Sequence, residues 1–478
     1  MPKALPARAA ALAAAAILTC GCATAPQRSP VTASGSATPV EAADSTRFSV
    51  PVEYFRLDNG LKVVLSRDVS APTVTVGVYY RIGFRIEPRG RTGFAHLFEH
   101  LMFQGSASLG KGEFNRLVES NGGVLNGSTR FDFTNYFEIV PANTLETLLW
   151  AEADRMSSLA ITQENLANQQ DVVKNEVRGN VLNRPYGGFP WLSMPQYANT
   201  NWFNAHNFYG DLDDIDAATL EEAQAFFGSY YVPGNAVLVV AGDFDAAQAR
   251  VWIRKYFGPL AARPVPPLPD VSEPRQEAPR RQTLVDPLAP RPALALAWHV
   301  PARGTPEHFA FGLIDELLLQ GEDSALWQRI VQEKGYAGSV AGGINLLGNM
   351  FNYDGPMLWM VYLIHDGGVS PEQVVGDVDD VIARLVEAAP EPRDMQRALT
   401  KIRTSLYDLA GSSTRFGLVD LLASFALFDD DPDRINHIEE EFRKVTPELV
   451  QRVAREYLRP GNRTLLLVEP GATGEVPR

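Results

Sequence analysis

Cysteine is nearly missing from this chain of 478 residues: it has two, Cys20 and Cys22, both close to the N-terminus. The rest of the chain therefore cannot be stapled by disulfides of its own. An excess of basic charge is missing as well. The formal net charge is −14, and no lysine- or arginine-rich patch stands out, which excludes the electrostatic footprint of a nucleic-acid-binding protein. No apolar run approaches the roughly 20 residues that a membrane-spanning helix needs; the run at residues 9–18 falls well short. Histidine is scarce too, with seven in all, so two of them within five residues carry information.

What is present is the composition of a globular protein, 45% hydrophobic and 21% charged. The length exceeds one ordinary core, so two or more domains are expected. The N-terminus carries Lys3 and Arg8, then the apolar run, then Thr19, Cys20, Gly21 and Cys22. That is a charged n-region, a short h-region and a small-residue cleavage site. Gly21 before Cys22 resembles a bacterial lipoprotein box. On this reading residues 1–21 are a signal peptide, Cys22 carries the lipid, and residues 22–45, rich in Ser, Thr, Pro and Ala, form a flexible tether. Thr19 stands where such boxes usually carry Leu, and an ordinary secretory leader is the alternative. Ala23 after Cys22 points by the same analogy to the outer membrane. The expectation is a periplasmic protein that meets the membrane only through a lipid anchor.

His96, Glu99 and His100 form the pattern HxxEH within an otherwise apolar stretch, residues 93–103. At about 100° per residue, positions four apart lie about 40° apart around a helix, so both imidazoles can close on one metal ion. Glu99 lies on nearly the same face, placed to serve as a general base toward water rather than as a ligand. The order is that of the inverted zinc peptidases. A chance match on an amphipathic helix is the alternative, yet three ionisable groups in so apolar a segment are costly unless paired or metallated. Gly105 is expected to stop this helix. A catalytic zinc takes three protein ligands. The best third candidate is Glu176, on a helix expected to open near Thr162 with Leu166, Val173, Val177 and Val181 on or near one stripe. Alone, Glu176 reads as a solvated helix residue.

Residues 258–281 contain seven prolines, at 259, 264, 266, 267, 269, 274 and 279. Neither a helix nor a central strand tolerates that density, so this is read as a linker between residues 46–257 and 282–478. The two halves echo each other. Tyr231-Val-Pro-Gly-Asn235 before an apolar strand recurs as Tyr457-Leu-Arg-Pro-Gly-Asn462, and more weakly Leu101-Met-Phe-Gln-Gly105 recurs as Leu317-Leu-Leu-Gln-Gly321. In that register His96, Glu99 and His100 correspond to Gly312, Asp315 and Glu316, which leaves the second half without a zinc site. Strands are predicted at residues 74–80, 136–140, 236–241, 293–298 and 357–364, and helices at 144–157, 163–183, 371–388, 394–409 and 447–458. Each half is thus α+β.

The chain resembles the pitrilysin and insulinase family of inverted zinc metallopeptidases, whose HxxEH is followed at long spacing by a glutamate in a helix; here Glu176 lies 76 positions beyond His100. Further segments match in order: Asn59-Gly60 between apolar runs, a hairpin signal; residues 121–129; and residues 231–235 with 239–243. The likeness to the bacterial processing-peptidase branch runs from about Phe55 to about Val468. It implies two duplicated α/β-sandwich domains facing each other across a cavity, zinc (Zn2+) held by His96, His100 and Glu176, and Glu99 as the catalytic base. It also implies that residues 121–129 form an edge strand pairing with an extended peptide substrate, although the residues alone fit an ordinary hairpin strand.

Two departures stand out. Gln169, seven residues before Glu176, occupies a place where many relatives carry a second acidic residue. In the second half, the family's substrate-binding Arg and Tyr fall at Gln332 and Gly338 in the preferred alignment, while a shifted one offers Arg329 and Tyr336. The expected partners are therefore a peptide or unfolded polypeptide and a homologous subunit lacking HxxEH. The leading expectation is a zinc endopeptidase. A non-catalytic assembly or scaffold subunit and a binding module with purely structural zinc are the alternatives.

Overall fold

The computed structural model describes residues 48–471 apart from Ser413. The leader, Cys20, Cys22 and the whole of the tether lie outside the described residues. Among the described residues no helix is long and apolar enough to cross a membrane.

Strands β1 (Glu53–Arg56), β2 (Lys62–Arg67), β3 (Thr73–Tyr80), β4 (Val124–Thr129), β5 (Thr134–Pro141) and β6 (Ala236–Gly242) make one sheet in the order β1-β2-β6-β3-β5-β4. The Asn59-Gly60 signal sits in the β1–β2 hairpin, where Gly60 takes a left-handed φ of 92°. Strands β7 (Arg280–Asp286), β8 (Ala293–His299), β9 (Ala341–Ile344), β10 (Leu358–Ile364) and β11 (Arg463–Pro470) make a second, in the order β7-β11-β8-β10-β9. The two orders superimpose, β2-β6-β3-β5-β4 onto β7-β11-β8-β10-β9. In both, the first pair is parallel and the others antiparallel. The repeated Pro-Gly-Asn forms a 3₁₀ turn just before β6 and again just before β11. Duplication, read from a short echo, is thus carried through the whole topology.

Helix α1 (Phe94–Leu101) follows β3, and α2 (Leu145–Ser158) and α3 (Gln163–Val177) follow β5. In the second half α5 (Pro306–Leu318) occupies the place of α1. Helix α1 ends at Leu101 rather than at Gly105, which instead sits at φ 110° in the turn beyond, where an added Cβ would fall 2.9 Å from the Leu109 carbonyl. Helix α3 is N-capped by the Thr162 hydroxyl accepting from the Asn165 N–H. It ends at Val177, and the remainder of the predicted helix is a π turn over Arg178–Leu182.

The halves are interlocked. Strand β6 is apolar and buried at every position because both faces of its sheet are covered. Leu238 and Val240 face the core formed with α1 and α2. Val237, Val239 and Ala241 face the core that contains α7 (Pro392–Gly411) and, after it, α8 (Phe416–Phe428), a helix from the far end of the chain. Its entry is fixed by Arg415, buried in a left-handed conformation, which donates to the Asp68 carboxylate at 2.8 Å and to Thr73 Oγ1 at 3.0 Å. Thr75 Oγ1 donates to the Thr414 carbonyl at 2.6 Å. In return α4 (Ser193–Ala198) places Met194 and Ala198 against Ala295, Ala297 and Leu466 of the second sheet, where small side chains let helix and strands approach. Each half thus lends one helix to the other's sheet. The proline-rich segment holds no helix or strand until β7 begins at Arg280.

Candidate metal centre

Helix α1 starts at Gly93, whose φ of 84° needs a residue without a Cβ. No neighbouring side chain caps it. Instead the fully buried Glu87 carboxylate reaches across and accepts from the Gly93 N–H at 3.0 Å and the Ala95 N–H at 2.7 Å. An anion at this end also complements the helix dipole. Burial pushes the Glu87 carboxyl up, opposed by His206, whose Nε2 lies 3.5 Å away, and by the two N–H groups.

On the helix so anchored, His96 is buried and His100 half-buried, with their Nε2 atoms 3.3 Å apart and their rings nearly perpendicular. Helix α3 packs against α1 and delivers Glu176, with Oε1 3.6 Å from His96 Nε2 and Oε2 3.2 Å from His100 Nε2. One donor atom from each of the three residues lies within 4.8 Å of the others. Hydrogen bonds from His100 and then His96 hold the Glu176 carboxyl far below the ordinary carboxylate range. Two imidazole nitrogens and a carboxylate converging in this way are a donor set that fits zinc. Glu99 is not one of the three residues whose donor atoms converge. Its Oε2 accepts from Thr129 Oγ1 at 2.7 Å on β4, and its Cγ packs over Gly127, where an added Cβ would come within 3.3 Å. Among the described residues strand β4 pairs only with β5, and its outer edge carries no further strand.

Comparison with known proteins gives the family of the chain. Residues 62–200 match the profile of the insulinase family, peptidase family M16, and residues 217–402 match the profile described as the peptidase M16 inactive domain. Zinc protease PqqE of Helicobacter pylori is 28% identical over 430 residues, covering 87% of this chain and 93% of that protein. This chain belongs to the insulinase family. A crystal structure of a protease from Helicobacter pylori superimposes with a TM-score of 0.81 at 25% identity, covering 88% of this chain and 100% of the other. The periplasmic protease PqqL of Escherichia coli shares the fold, with a TM-score of 0.72 at 16% identity over 89% of this chain and 48% of that one.

Within this insulinase-family chain, the second half departs as its sequence suggests. Asp315 and Glu316, at the positions equivalent to Glu99 and His100, face no imidazole. Asp315 accepts from Trp359 Nε1 at 2.6 Å and from Gln320 Nε2, and Glu316 pairs with Lys401 at 3.4 Å. Arg329 and Tyr336 are engaged elsewhere. On α6 (Pro371–Glu387), Asp377 accepts from Arg329 Nε at 2.8 Å and from the Tyr336 hydroxyl at 3.2 Å, while Asp380 takes another guanidinium nitrogen at 3.1 Å. Gln332 and Gly338 are exposed. Gln169 is buried, but its amide donates to Asn168 rather than to His96, His100 or Glu176. Buried His96 Nδ1 has no hydrogen-bond partner among the described residues.

Sequence reasoning missed two residues. One is Glu87; the other is Tyr209, which donates to Glu176 Oε1 at 2.5 Å and stacks on the His96 ring at 4.7 Å. Both reach the site only through tertiary contacts, and no local pattern marks either of them.

Proposed function

We propose that this chain is a zinc-dependent endopeptidase of the cell envelope, hydrolysing peptides or unfolded protein segments laid in extended form along β4. The observation that carries this reading is the convergence of His96, His100 and Glu176 beside Glu99, itself tethered to the edge strand. Bound there, zinc would activate water and polarise the scissile carbonyl. The Thr129 hydroxyl engages one oxygen of Glu99 and leaves the other to take the proton from the attacking water and pass it to the leaving amine. The main chain of β4 orients the substrate by strand pairing.

The purified chain should contain about one zinc ion, and Glu99→Gln should keep the metal while losing peptide cleavage by about 10²–10⁴-fold. Metal analysis beside a fluorogenic peptide assay decides it; equal cleavage by the two proteins, or a wild type that holds no zinc, rejects the reading.

Hydrolysis also needs groups that hold the substrate and the developing oxyanion. Because Arg329 and Tyr336 are bound to α6, a homologous chain lacking HxxEH is proposed to supply them. The same observation favours, as a second reading, a non-catalytic assembly subunit, which would bind zinc and stay inactive with every homologous partner. For location we propose the periplasm, with a lipid on Cys22 holding the protein to the outer membrane. Cys22→Ser should then move it from the membrane to the soluble fraction on cell fractionation; unchanged membrane association rejects the anchor.

A further inference from the structure

We infer that Tyr209 is a positioning residue of the metal centre: it makes Glu176 a ligand through one oxygen and holds the His96 ring in place of a hydrogen bond to its outer nitrogen. The inference rests on the zinc reading above.

Three contacts converge on this side chain. Its hydroxyl donates to Glu176 Oε1 at 2.5 Å. Its ring lies nearly parallel to His96, 4.7 Å between centroids with 15° between planes. The Trp191 ring meets it edge-on at 5.5 Å, so the stack is supported from a second side. The backbone delivers Tyr209 there by a close crossing. A Cβ on Gly210 would lie 2.7 Å from the Gly93 Cα, and one on Gly93 would lie 2.9 Å from the Gly210 Cα. Both have left-handed φ, 94° and 84°, so two glycines allow the residue after Tyr209 to touch the first turn of the helix that carries His96.

The consequence is electronic as well as steric. A metal-binding histidine normally donates its outer N–H to a carboxylate or carbonyl, which fixes the ring. Here His96 Nδ1 has no such partner among the described residues, and the buried Gln169 amide bonds to Asn168 instead. The stacked Tyr209 ring is what limits rotation of the imidazole. With Oε1 occupied by the hydroxyl, Oε2 is the oxygen left for the metal. A one-oxygen carboxylate keeps the coordination number at four with a position open for water.

The test compares wild type, Tyr209→Phe, which keeps the stack and loses the hydroxyl, and Tyr209→Leu, which loses both. Zinc affinity is read by chelator competition, and geometry from the visible absorption of the Co2+-substituted proteins. Tyr209→Phe should bind zinc about 10-fold more weakly and Tyr209→Leu up to about 100-fold more weakly. The Co2+ bands of Tyr209→Phe should weaken as Glu176 turns bidentate and the site becomes five-coordinate. Wild-type affinity in Tyr209→Phe, or an unaltered Co2+ spectrum, overturns the inference while leaving the zinc reading standing. A wild type that binds no zinc overturns both.

Discussion

At the scale of single residues, the carboxyl of Glu176 in the first half and those of Asp315 and Glu316 in the second are shifted in opposite directions. Glu176 is held ionised by two imidazoles, whereas Asp315 and Glu316, at the equivalents of Glu99 and His100 in the second half, have lost any such partner. Burial pushes Asp315 from 3.8 up to about 6 and Glu316 from 4.5 up to about 7. Below the unfolded values both states carry these protons. As pH rises through the window from about 4 to about 7 the unfolded chain releases them first, so the groups' contribution to stability falls with rising pH. Asp315→Asn, which keeps an acceptor for Trp359, should flatten this dependence and leave the variant more stable than wild type near pH 8 by on the order of 1–2 kcal/mol. Denaturant unfolding at pH 5 and pH 8 checks it, and an unchanged difference between the two pH values refutes it.

At the scale of elements, most of the helix and strand ranges predicted from periodicity lie within a residue or two of those observed, because the buried stripe of a helix and the run of a covered strand are local properties. Two ends were misjudged where tertiary contact intervenes. Helix α1 stops a turn before Gly105, and the helix predicted to run to residue 183 turns to π geometry just past Glu176. The residues 121–129 that fitted both an edge strand and an ordinary hairpin strand form an edge. Its Gly127 meets Glu99 Cγ and the Tyr136 ring. Tyr136 cannot yield, since its hydroxyl donates to the Phe98 carbonyl at 3.1 Å, so Gly127→Ala should displace Glu99. Turnover should fall about 10-fold with zinc content intact. Full turnover in that variant would show that the strand does not set the position of the base.

At the scale of the whole molecule, one chain holds the metal ligands and base while Arg329 and Tyr336 are committed to α6. Activity of this chain alone should therefore be weak and should rise by at least about 10²-fold on adding a homologous chain that lacks HxxEH but carries the family's Arg and Tyr. A peptidase assay across a mixing series checks this; full activity alone, abolished by changing Arg329 or Tyr336, would mean that these side chains leave Asp377 to act in the site. The amino-acid sequence by itself determined the family, the duplication and the α+β elements, and it singled out His96, Glu99, His100 and Glu176, because motif spacing and apolar periodicity are written along the chain. Tertiary structure alone decided that α4 and α8 are exchanged between the sheets, that Glu87 caps α1 and that Tyr209 braces the ligands. Those contacts join residues far apart in sequence through burial and close backbone approach, and burial of that kind leaves no mark on the local order of residues.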